Sequence, residues 1–509
     1  MVPMCDGVRL ATDVYLPHSK PAPVILMRTP YNKEVYSRVA RNRAAAGYAC
    51  VVQDSRGRFA SEGANLPFEG DGWWDKTDGY DTLEWIATQP WCNGRIGMHA
   101  GSAMGIAQFM AAATGTRRLS FLRIPFATPN IYAMAYSNGL FKKSLVEAWL
   151  AENKFAQQAL DTWMSHPTYD SYWSARDARD RFNKFNVPAL HIGGWYDIFA
   201  SGTLEGFMGL QAKGGSGACG RQKLIMGPYP HTEYEQRGEL TFPGADEPPW
   251  YHAEGDIPWF DFYLKGIDNG ISGVPVVTYY VMGDVADPTA PGNCWRTADA
   301  WPPFETRQRP LYLHADLTLG NEIGDEKPLS YDYDPEDPVP TIGGPQYFLP
   351  AGPMDQRRIE ARRDLLVFTG KPLAHPLEIT GRVALKLWAS TDAPDTDFIA
   401  RLCDVYPGGR SINICEGGVR ARLRESLSKE VPVEPRKAYL FDIDLGTTSI
   451  IVNRRHRIRV HITSSSYPGY AANSNSGKGY PRFVEPRVAH NTVYMGAERP
   501  SRILLPVRD

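Results

Sequence analysis

The segment GRIGMHAGSAMGIAQFMAAATG, residues 94–115, combines three local signals in one short run. An apolar strand comes first, a turn of small residues around Ser102 follows, and an Ala-rich helix begins directly after the serine. A serine on a sharp strand-to-helix turn needs small neighbours because the backbone is crowded there, so the segment predicts a nucleophile elbow. The N-terminus of such a helix aims free N–H groups at an oxyanion formed beside the serine.

The segment departs from the usual G-x-S-x-G pattern at two places. Ala100 occupies the first glycine position, and the next glycine is Gly105, three residues after the serine. On this pattern alone, a serine that caps an ordinary helix is an equally good interpretation. The rest of the chain has to decide between the two.

Strands and helices alternate on both sides of this segment. The apolar runs PVILM (23–27) and YACVVQ (48–53) predict buried strands around a helical stretch, and VPALHIGGWYD (187–197) and KLIMGPYPH (223–231) continue the pattern. VPVVTYYVMG (274–283) predicts a last strand. Alternation at this spacing predicts a parallel sheet with helices on both faces.

Two changes of character divide the chain into four parts. Residues 128–183 have helical periodicity and no strand candidate, which predicts a helical insertion. The Pro-rich run 284–310 predicts an irregular linker, and the β-branched runs beyond it predict an antiparallel β-sandwich. The predicted boundaries are a core in two parts, 1–127 and 184–303, with a helical cap at 128–183 between them and an all-β domain at 304–509.

Composition excludes several classes of protein. The 509 residues carry a formal net charge of −2, so no global field attracts nucleic acid or an anionic membrane. The longest weakly polar run, 100–115, is too short to cross a bilayer. The seven cysteines include no CxxC pair, and the N-terminus lacks the pattern of a signal peptide, so we expect a cytoplasmic protein. The sequence leaves homo-oligomerisation open.

A serine nucleophile needs a base and a group that orients the base, and both follow Ser102 in the order Ser, Asp, His. Asp197 ends the strand ALHIGGWYD, and His231 follows the strand KLIMGPYPH. The other candidate histidines lie in the elbow strand, in a polar turn or in the β-rich part of the chain: His99, His252, His314, His456 and His461. The sequence therefore predicts Ser102, Asp197 and His231 as a catalytic triad that needs neither a metal nor a cofactor.

One glycine-rich run satisfies a nucleotide-binding pattern without its context. Residues 215–220 read GSGACG and match G-x-G-x-x-G, but no strand precedes them and a strand rather than a helix follows. We interpret this run as a surface turn. The chain contains neither a G-x-x-x-x-G-K-[ST] nor an H-E-x-x-H motif, so no phosphate or zinc site is predicted.

Seven runs together resemble the bacterial cocaine-esterase / Xaa-Pro dipeptidyl-peptidase family. They are MVPMCDGVRLATDVYLP (1–17), RTPYNK (28–33), QDSRGRFASEG (53–63), DTLEWIATQPWCNGRIGM (81–98), GWYD (194–197), GPYPH (227–231) and SSSYPGYAANSNSG (464–477). The resemblance implies an α/β-hydrolase fold with an inserted helical cap and a C-terminal jelly-roll domain. It also implies the triad Ser102, Asp197 and His231, with an oxyanion hole formed by the Tyr31 hydroxyl and the Ala103 N–H.

The same resemblance implies an aromatic acyl pocket, but two departures bear on the substrate. Phe199 in the turn after Asp197, and Tyr136 and Trp149 in the cap, lie at positions that resemble the family's pocket aromatics. We expect Tyr347 and Phe348 to approach from the all-β domain, and simple packing is the alternative for each of the five. The cap is shorter than in the cocaine-cleaving members. Members that hydrolyse α-amino acid esters have carboxylates just after the catalytic aspartate, whereas residues 198–200 are Ile, Phe and Ala here.

We therefore expect a serine hydrolase that cleaves an ester of a largely apolar small molecule through an acyl-enzyme. The sequence leaves an amidase, an Xaa-Pro-type peptidase or an acyltransferase with the same triad as alternatives. A non-catalytic ligand-binding protein with a degenerate elbow is a further alternative, and the substitution at Ala100 is the feature that favours it.

Overall fold

A computed structural model describes residues 1–232, 234–246, 248 and 255–508 of the chain. The helices are α1 (Ser37–Ala45), α2 (Asp78–Ala87), α3 (Ala103–Ala113), α4 (Tyr132–Ala135), α5 (Lys143–Glu152), α6 (Gln157–Ser165), α7 (Ser171–Ser174), α8 (Ala200–Lys213) and α9 (Ile257–Phe260). The strands up to residue 298 are β1 (Val2–Pro3), β2 (Arg9–Leu10), β3 (Thr12–Tyr15), β4 (Ala22–Thr29), β5 (Ala49–Asp54), β6 (Cys92–Met98), β7 (Leu119–Pro125), β8 (Tyr136–Ser137), β9 (Leu140–Phe141), β10 (Ala189–Gly194), β11 (Gln222–Gly227), β12 (Val277–Val281) and β13 (Cys294–Ala298).

Nine of these strands form one sheet in the order β13-β12-β11-β10-β7-β6-β4-β5-β3. The seven inner strands are parallel, and β3 and β13 pair antiparallel at the two edges. Every residue of β4, β5 and β10 is buried, which explains why these strands are continuous apolar runs. The prediction of an α/β core with a parallel sheet is confirmed.

The predicted linker at 284–310 is wrong in two respects, because it contains the edge strand β13 and because the strand Arg307–Leu313 begins within it. Cys294–Ala298 pairs antiparallel with Val277–Val281, although its own side chains are exposed or half-buried. The strand is five residues long and lies in a run rich in proline and aspartate, and backbone hydrogen bonds hold it to its neighbour. The sequence pattern therefore carried no signal for it.

The cap region, 128–183, contains the helices α4 to α7 and also one small hairpin. The two-residue strands β8 and β9 pair antiparallel around Asn138 and Gly139, whose φ angles are 47° and 84°. Two successive residues with positive φ form the tight turn that Asn-Gly favours. The expectation that this region has no strand is therefore wrong, although most of the region is helical.

The all-β domain is built from eleven further strands: β14 (Arg307–Leu313), β15 (Thr318–Gly320), β16 (Leu329–Tyr333), β17 (Leu366–Gly370), β18 (Leu377–Thr391), β19 (Asp397–Val405), β20 (Ser411–Arg420), β21 (Tyr439–Val452), β22 (Arg457–Thr463), β23 (Ala489–Tyr494) and β24 (Arg502–Val507). All their pairings are antiparallel except that of β15 with β17. The prediction of a C-terminal β-sandwich is confirmed.

One apolar core joins this domain to the α/β sheet. Trp195 and Tyr280 of the α/β part belong to the same buried cluster as Phe398 and Phe441 of the sandwich. The backbone of Met282 also exchanges two hydrogen bonds with β21, from its N–H to the Ser449 carbonyl (3.0 Å) and from the Ile451 N–H to its carbonyl (2.8 Å). These contacts fix the sandwich against the sheet. In the described part of the chain, no helix combines the length and the apolar character needed to cross a bilayer.

Candidate active site

Ser102 lies on a sharp turn between β6 and α3. Its φ and ψ angles are 56° and −131°, a backbone conformation that non-glycine residues rarely adopt. Its N–H donates to the Pro125 carbonyl at 3.1 Å. A Cβ on Gly101 would lie 2.4 Å from that same carbonyl oxygen, so the turn accepts only glycine before the serine. This is the geometry of a nucleophile elbow rather than of an ordinary helix cap.

Ala100 has a φ of 96°, in the region that favours glycine. The elbow therefore keeps the backbone that the missing glycine would have, and the alanine methyl packs among Met27 and Met104 at the start of the turn. Alanine in place of glycine at position 100 therefore adds backbone strain to the turn but does not alter its shape.

Ser102, His231 and Asp197 form one chain of hydrogen bonds. The Ser102 Oγ lies 2.9 Å from the His231 Nε2, and the His231 Nδ1 lies 2.7 Å from the Asp197 Oδ1. The three residues follow β6, β11 and β10 at the carboxyl edge of the parallel sheet, where active sites of open α/β sheets form. The structure thus brings together the three residues that the sequence predicted.

The loops after β10 and β11 are tied together, and this holds the aspartate and the histidine in place. The Trp195 N–H donates to the Gly227 carbonyl at 2.8 Å, and the Tyr196 N–H donates to the Tyr229 carbonyl at 3.1 Å. Asp197 is 2% exposed. A buried, hydrogen-bonded carboxylate of this kind orients an imidazole and stabilises its protonated form.

Three aromatic rings surround the His231 imidazole edge-on. The ring centroids of Phe199, Tyr347 and Phe126 lie 5.4, 5.0 and 6.0 Å from that of the imidazole. Tyr347 comes from the all-β domain, so that domain contributes directly to the site. The rings limit the access of water to the hydrogen bond between His231 and Asp197, which strengthens it.

Two donors converge beside Ser102. The Tyr31 hydroxyl accepts a hydrogen bond from the Trp149 Nε1 at 3.1 Å and interacts with the Ser102 side chain. Burial raises the pKa of Tyr31 to about 12, so this hydroxyl keeps its proton at neutral pH. Ala103 is the first residue of α3, and its N–H has no carbonyl in a preceding helical turn to bond. The arrangement can receive a negative charge on an oxygen held next to Ser102.

A cavity of about 410 Å³ opens onto Ser102. Its apolar walls are Pro125, Phe126, Trp149, Tyr347 and Phe348. Trp149 stacks on Phe68 with 6.0 Å between ring centroids, and this contact fixes the indole in the wall. A cavity of this size and character accommodates a small molecule with an aromatic or aliphatic group.

The five predicted pocket residues do not all lie in this cavity. Trp149, Tyr347 and Phe348 line it. Tyr136 and Phe199 instead line a second internal cavity behind the triad, and Tyr347 borders both. Tyr136 is fully buried, and its hydroxyl donates to the Trp163 carbonyl at 2.9 Å, so its position is part of the packing of the cap.

Sequence reasoning missed two residues at the mouth of the cavity and one behind it. Tyr36 and Glu152 also line the cavity at Ser102, and Lys142 lines the cavity behind the triad. A signal existed for Glu152, which follows Trp149 by three residues on α5 and therefore shares its side of the helix. Lys142 reaches its position through the fold of the cap, for which the sequence has no local signal.

The alternative histidines have other partners. His99 pairs with Asp256, and His461 pairs with Glu360 at 3.1 Å. His456 lies between two aspartates, and His314 contacts Thr318 at 3.1 Å. His252 lies outside the described residues. His231 is therefore the histidine that hydrogen-bonds Ser102 in the described part of the chain.

Comparison with known families accounts for nearly the whole chain. The family model for X-Pro dipeptidyl-peptidase (S15 family) matches residues 6–159 and 147–233. The model for the X-Pro dipeptidyl-peptidase C-terminal non-catalytic domain matches residues 269–504.

Similar proteins agree with these matches over the full length. A cocaine esterase of Rhodococcus sp. (strain MB1 Bresler) is 33% identical over 582 residues, covering 100% of this chain and 97% of that protein. An aminopeptidase from a marine sediment Thaumarchaeota archaeon has a TM-score of 0.84 and 26% identity, and covers 100% of this chain and 96% of that chain. An α-amino acid ester hydrolase has a TM-score of 0.83 and 25% identity, with the same coverage.

These findings define a serine hydrolase of ester or amide substrates, built on an α/β-hydrolase fold with a C-terminal β-rich domain. The chain belongs to the family of cocaine esterase and the S15 X-Pro dipeptidyl-peptidases. The expected family, fold class and hydrolase activity are confirmed. The alternative of a non-catalytic binding protein is therefore set aside.

Proposed function

We propose that this enzyme hydrolyses esters of uncharged, largely apolar acyl groups through an acyl-enzyme on Ser102. The observation that carries the proposal is the hydrogen-bonded chain Ser102–His231–Asp197, which opens onto a cavity walled by aromatic side chains. The full-length similarity to a cocaine esterase also supports an ester as substrate.

The acylation step uses the hydrogen bonds already present. His231 Nε2 accepts the proton of the Ser102 hydroxyl as Oγ attacks the substrate carbonyl carbon. The C–O bond of the leaving alcohol then breaks, and the proton on Nε2 goes to the leaving oxygen. Asp197 holds Nδ1–H of the imidazole and stabilises the imidazolium that forms in between.

Deacylation repeats the same steps with water. His231 removes a proton from a water molecule as it attacks the acyl carbon, and the proton returns to Ser102 when the acyl bond breaks. The acid and the Ser102 hydroxyl are the products. An amine or an alcohol that entered in place of water would give acyl transfer by the same route.

The oxyanion that forms in both steps is received by the Tyr31 hydroxyl and the Ala103 N–H. The raised pKa of Tyr31, about 12, keeps the hydroxyl a donor throughout the neutral range. The bond from Trp149 to the Tyr31 oxygen polarises that hydroxyl and fixes its direction. Both donors are in place before substrate arrives, so little reorganisation is needed.

The preference for an uncharged acyl group follows from the walls of the cavity. Its interior is formed by Phe126, Trp149 and Phe348, whereas the carboxylate that lines it, Glu152, is exposed to solvent. An α-ammonium group placed next to the scissile carbonyl would lose hydration without a buried carboxylate to pair with, at a cost of several kcal/mol.

Four matched substrates test this proposal: the p-nitrophenyl esters and the p-nitroanilides of phenylacetic acid and phenylglycine. We expect the highest kcat/KM for the phenylacetic ester. The phenylglycine ester should improve when the pH rises above the pKa of its amine. A clear preference for the protonated amino ester, or for either anilide, would contradict the proposal, and Ser102→Ala measures the background hydrolysis.

A further inference from the structure

An internal cavity of about 350 Å³ lies directly behind the triad, where the core, the cap and the all-β domain meet. Asp197 and Phe199 line it from the core, Lys142 lines it from the cap, and Gln346 and Tyr347 line it from the all-β domain. The cavity therefore places a cap lysine and the triad aspartate in the walls of one space.

The Asp197 carboxylate is poorly compensated by its immediate contacts. Its Oδ1 receives the hydrogen bond of His231, and its Oδ2 is buried without a hydrogen-bond partner among the described residues. A buried carboxylate normally has several donors or a cation nearby, because an uncompensated buried charge is strongly unfavourable. A positive charge near Asp197 is therefore needed.

Within the described ranges, the buried Lys142 ammonium, in turn, has no negatively charged group directly beside it. Its Nζ donates to the Ala133 carbonyl at 2.8 Å and to the Ile198 carbonyl at 3.3 Å, and Ile198 directly follows Asp197. No carboxylate lies within 4 Å of this ammonium among the residues that the structure describes. Burial lowers the pKa of Lys142 to about 8, and attraction to Asp197 opposes that shift, so the side chain is mostly charged at pH 7.

The other charged groups that line the cavity have partners of their own. Arg179 pairs with Asp177 at 2.6 Å and with Glu205 at 3.4 Å. Glu416 pairs with Arg401, and Asp444 of β21 pairs with Arg382 at 2.9 Å. Asp177 and Glu205 share the single charge of Arg179, and Asp197 is the carboxylate whose attraction acts on Lys142.

Four tyrosines and one thiol in the walls are neutral at the pH of interest. Burial raises the pKa values of the lining tyrosines and of the lining thiol far above neutrality: Tyr132, Tyr136, Tyr169, Tyr470 and Cys415. None of these groups competes with Lys142 for the charge of Asp197.

We propose that Lys142 is a positioning residue for the triad, whose ammonium compensates the buried Asp197 carboxylate that holds the His231 imidazole. The inference rests on the proposed roles of Asp197 and His231. The carboxylate alone would favour the protonated imidazole, and the nearby ammonium counteracts this. The cap thus supplies a positive charge to the active site as well as covering it.

The direction in which a substitution of Lys142 shifts the pH dependence of the reaction follows from this repulsion. Loss of the ammonium removes a charge that repels the imidazolium formed in the reaction, so the acid limb of the pH–rate profile moves to higher pH. Coulomb's law at the effective dielectric constant of a protein interior gives a shift of about one pH unit for charges several ångströms apart. A merely structural lysine would lower the rate equally at every pH.

The experiment measures the second-order rate constant for inactivation by an uncharged alkyl fluorophosphonate as a function of pH. This reaction reports the activation of Ser102 whatever the natural substrate is. Lys142→Gln keeps amide donors for the Ala133 and Ile198 carbonyls and loses the charge, whereas Lys142→Met loses both. Lys143→Gln is the matched control, because Lys143 is the next residue on the chain and pairs with Glu147 at 2.6 Å.

We expect the midpoint of the acid limb to move up by about one pH unit in both Lys142 variants, with alkaline rates within about threefold of wild type. Lys143→Gln should keep the wild-type midpoint. Unchanged midpoints in both Lys142 variants, or a loss that is uniform over pH, would overturn the inference. If Lys142→Met does not fold, Lys142→Gln decides. Failure of the wild-type enzyme to label Ser102 at any pH would instead refute the proposed function.

Discussion

The role of Tyr31 can be tested by removing a single oxygen atom. In Tyr31→Phe the ring keeps its place in the wall of the cavity, and the hydroxyl that receives the oxyanion is lost. Loss of one preorganised donor to an oxyanion costs about 10²- to 10³-fold in kcat, which corresponds to about 3–4 kcal/mol. Because the hydroxyl bonds mainly to charge that develops in the transition state, KM should change little.

The structure also predicts a cost in stability. The Trp149 Nε1 that now donates to the Tyr31 oxygen at 3.1 Å would lose its acceptor, and Trp149 is 4% exposed. An unsatisfied buried N–H costs about 1–3 kcal/mol, so the free energy of unfolding should fall by about that amount. Urea denaturation measures this cost, and it is separate from the loss of kcat.

Steady-state kinetics on p-nitrophenyl phenylacetate provide the assay, with Tyr36→Phe as the control. Tyr36 lines the same cavity, and its hydroxyl interacts with Thr29 rather than with Ser102. We expect its kcat to stay within about threefold of wild type. If Tyr31→Phe raised KM and left kcat unchanged, Tyr31 would only bind substrate, and the assignment of the oxyanion hole would be refuted.

Three further substitutions test separate parts of the account. Asp197→Asn should lower kcat by about 10⁴-fold with an unchanged circular dichroism spectrum, and a loss under tenfold would contradict the triad. Ala100→Gly should leave the free energy of unfolding equal or up to about 1 kcal/mol higher in urea denaturation, because glycine relieves the φ of 96°; a clear loss would argue against strain there. Glu152→Gln should lower kcat/KM for a cationic ester by up to about fivefold and leave a neutral ester unchanged; equal values for both would place Glu152 away from the substrate.

The elements that the sequence predicted correctly are those with a strong local signal. The elbow needed a strand, a small-residue turn and a helix within residues 94–115, and each is visible in the sequence. Asp197 and His231 were found because each follows a buried strand and because carboxyl ends of parallel strands meet at one edge of a sheet. Chain order and strand position together were sufficient to predict that these two side chains lie near Ser102, and their catalytic role stays a prediction.

The elements that were missed depend on contacts between distant parts of the chain. Cys294–Ala298 becomes a strand because Val277–Val281 offers it a free edge, and its five residues lie in a run rich in proline and aspartate that carries no strand pattern of its own. Asn138 and Gly139 did have the composition of a tight hairpin turn, but the two-residue strands on either side are too short to produce alternation. Lys142 reaches the Ile198 carbonyl beside Asp197 because the cap folds over the sheet, and no periodicity encodes that contact.

The turnover of Ser102→Ala is the most direct test of the central claim, that Ser102 is the nucleophile. Alanine fits the elbow because it lacks only the Oγ that contacts His231, so the fold should be retained, and circular dichroism checks this. We predict that kcat on p-nitrophenyl phenylacetate falls by about 10⁴- to 10⁶-fold. A variant that kept more than about a tenth of the wild-type kcat would show that another group attacks the substrate, and the account would be wrong.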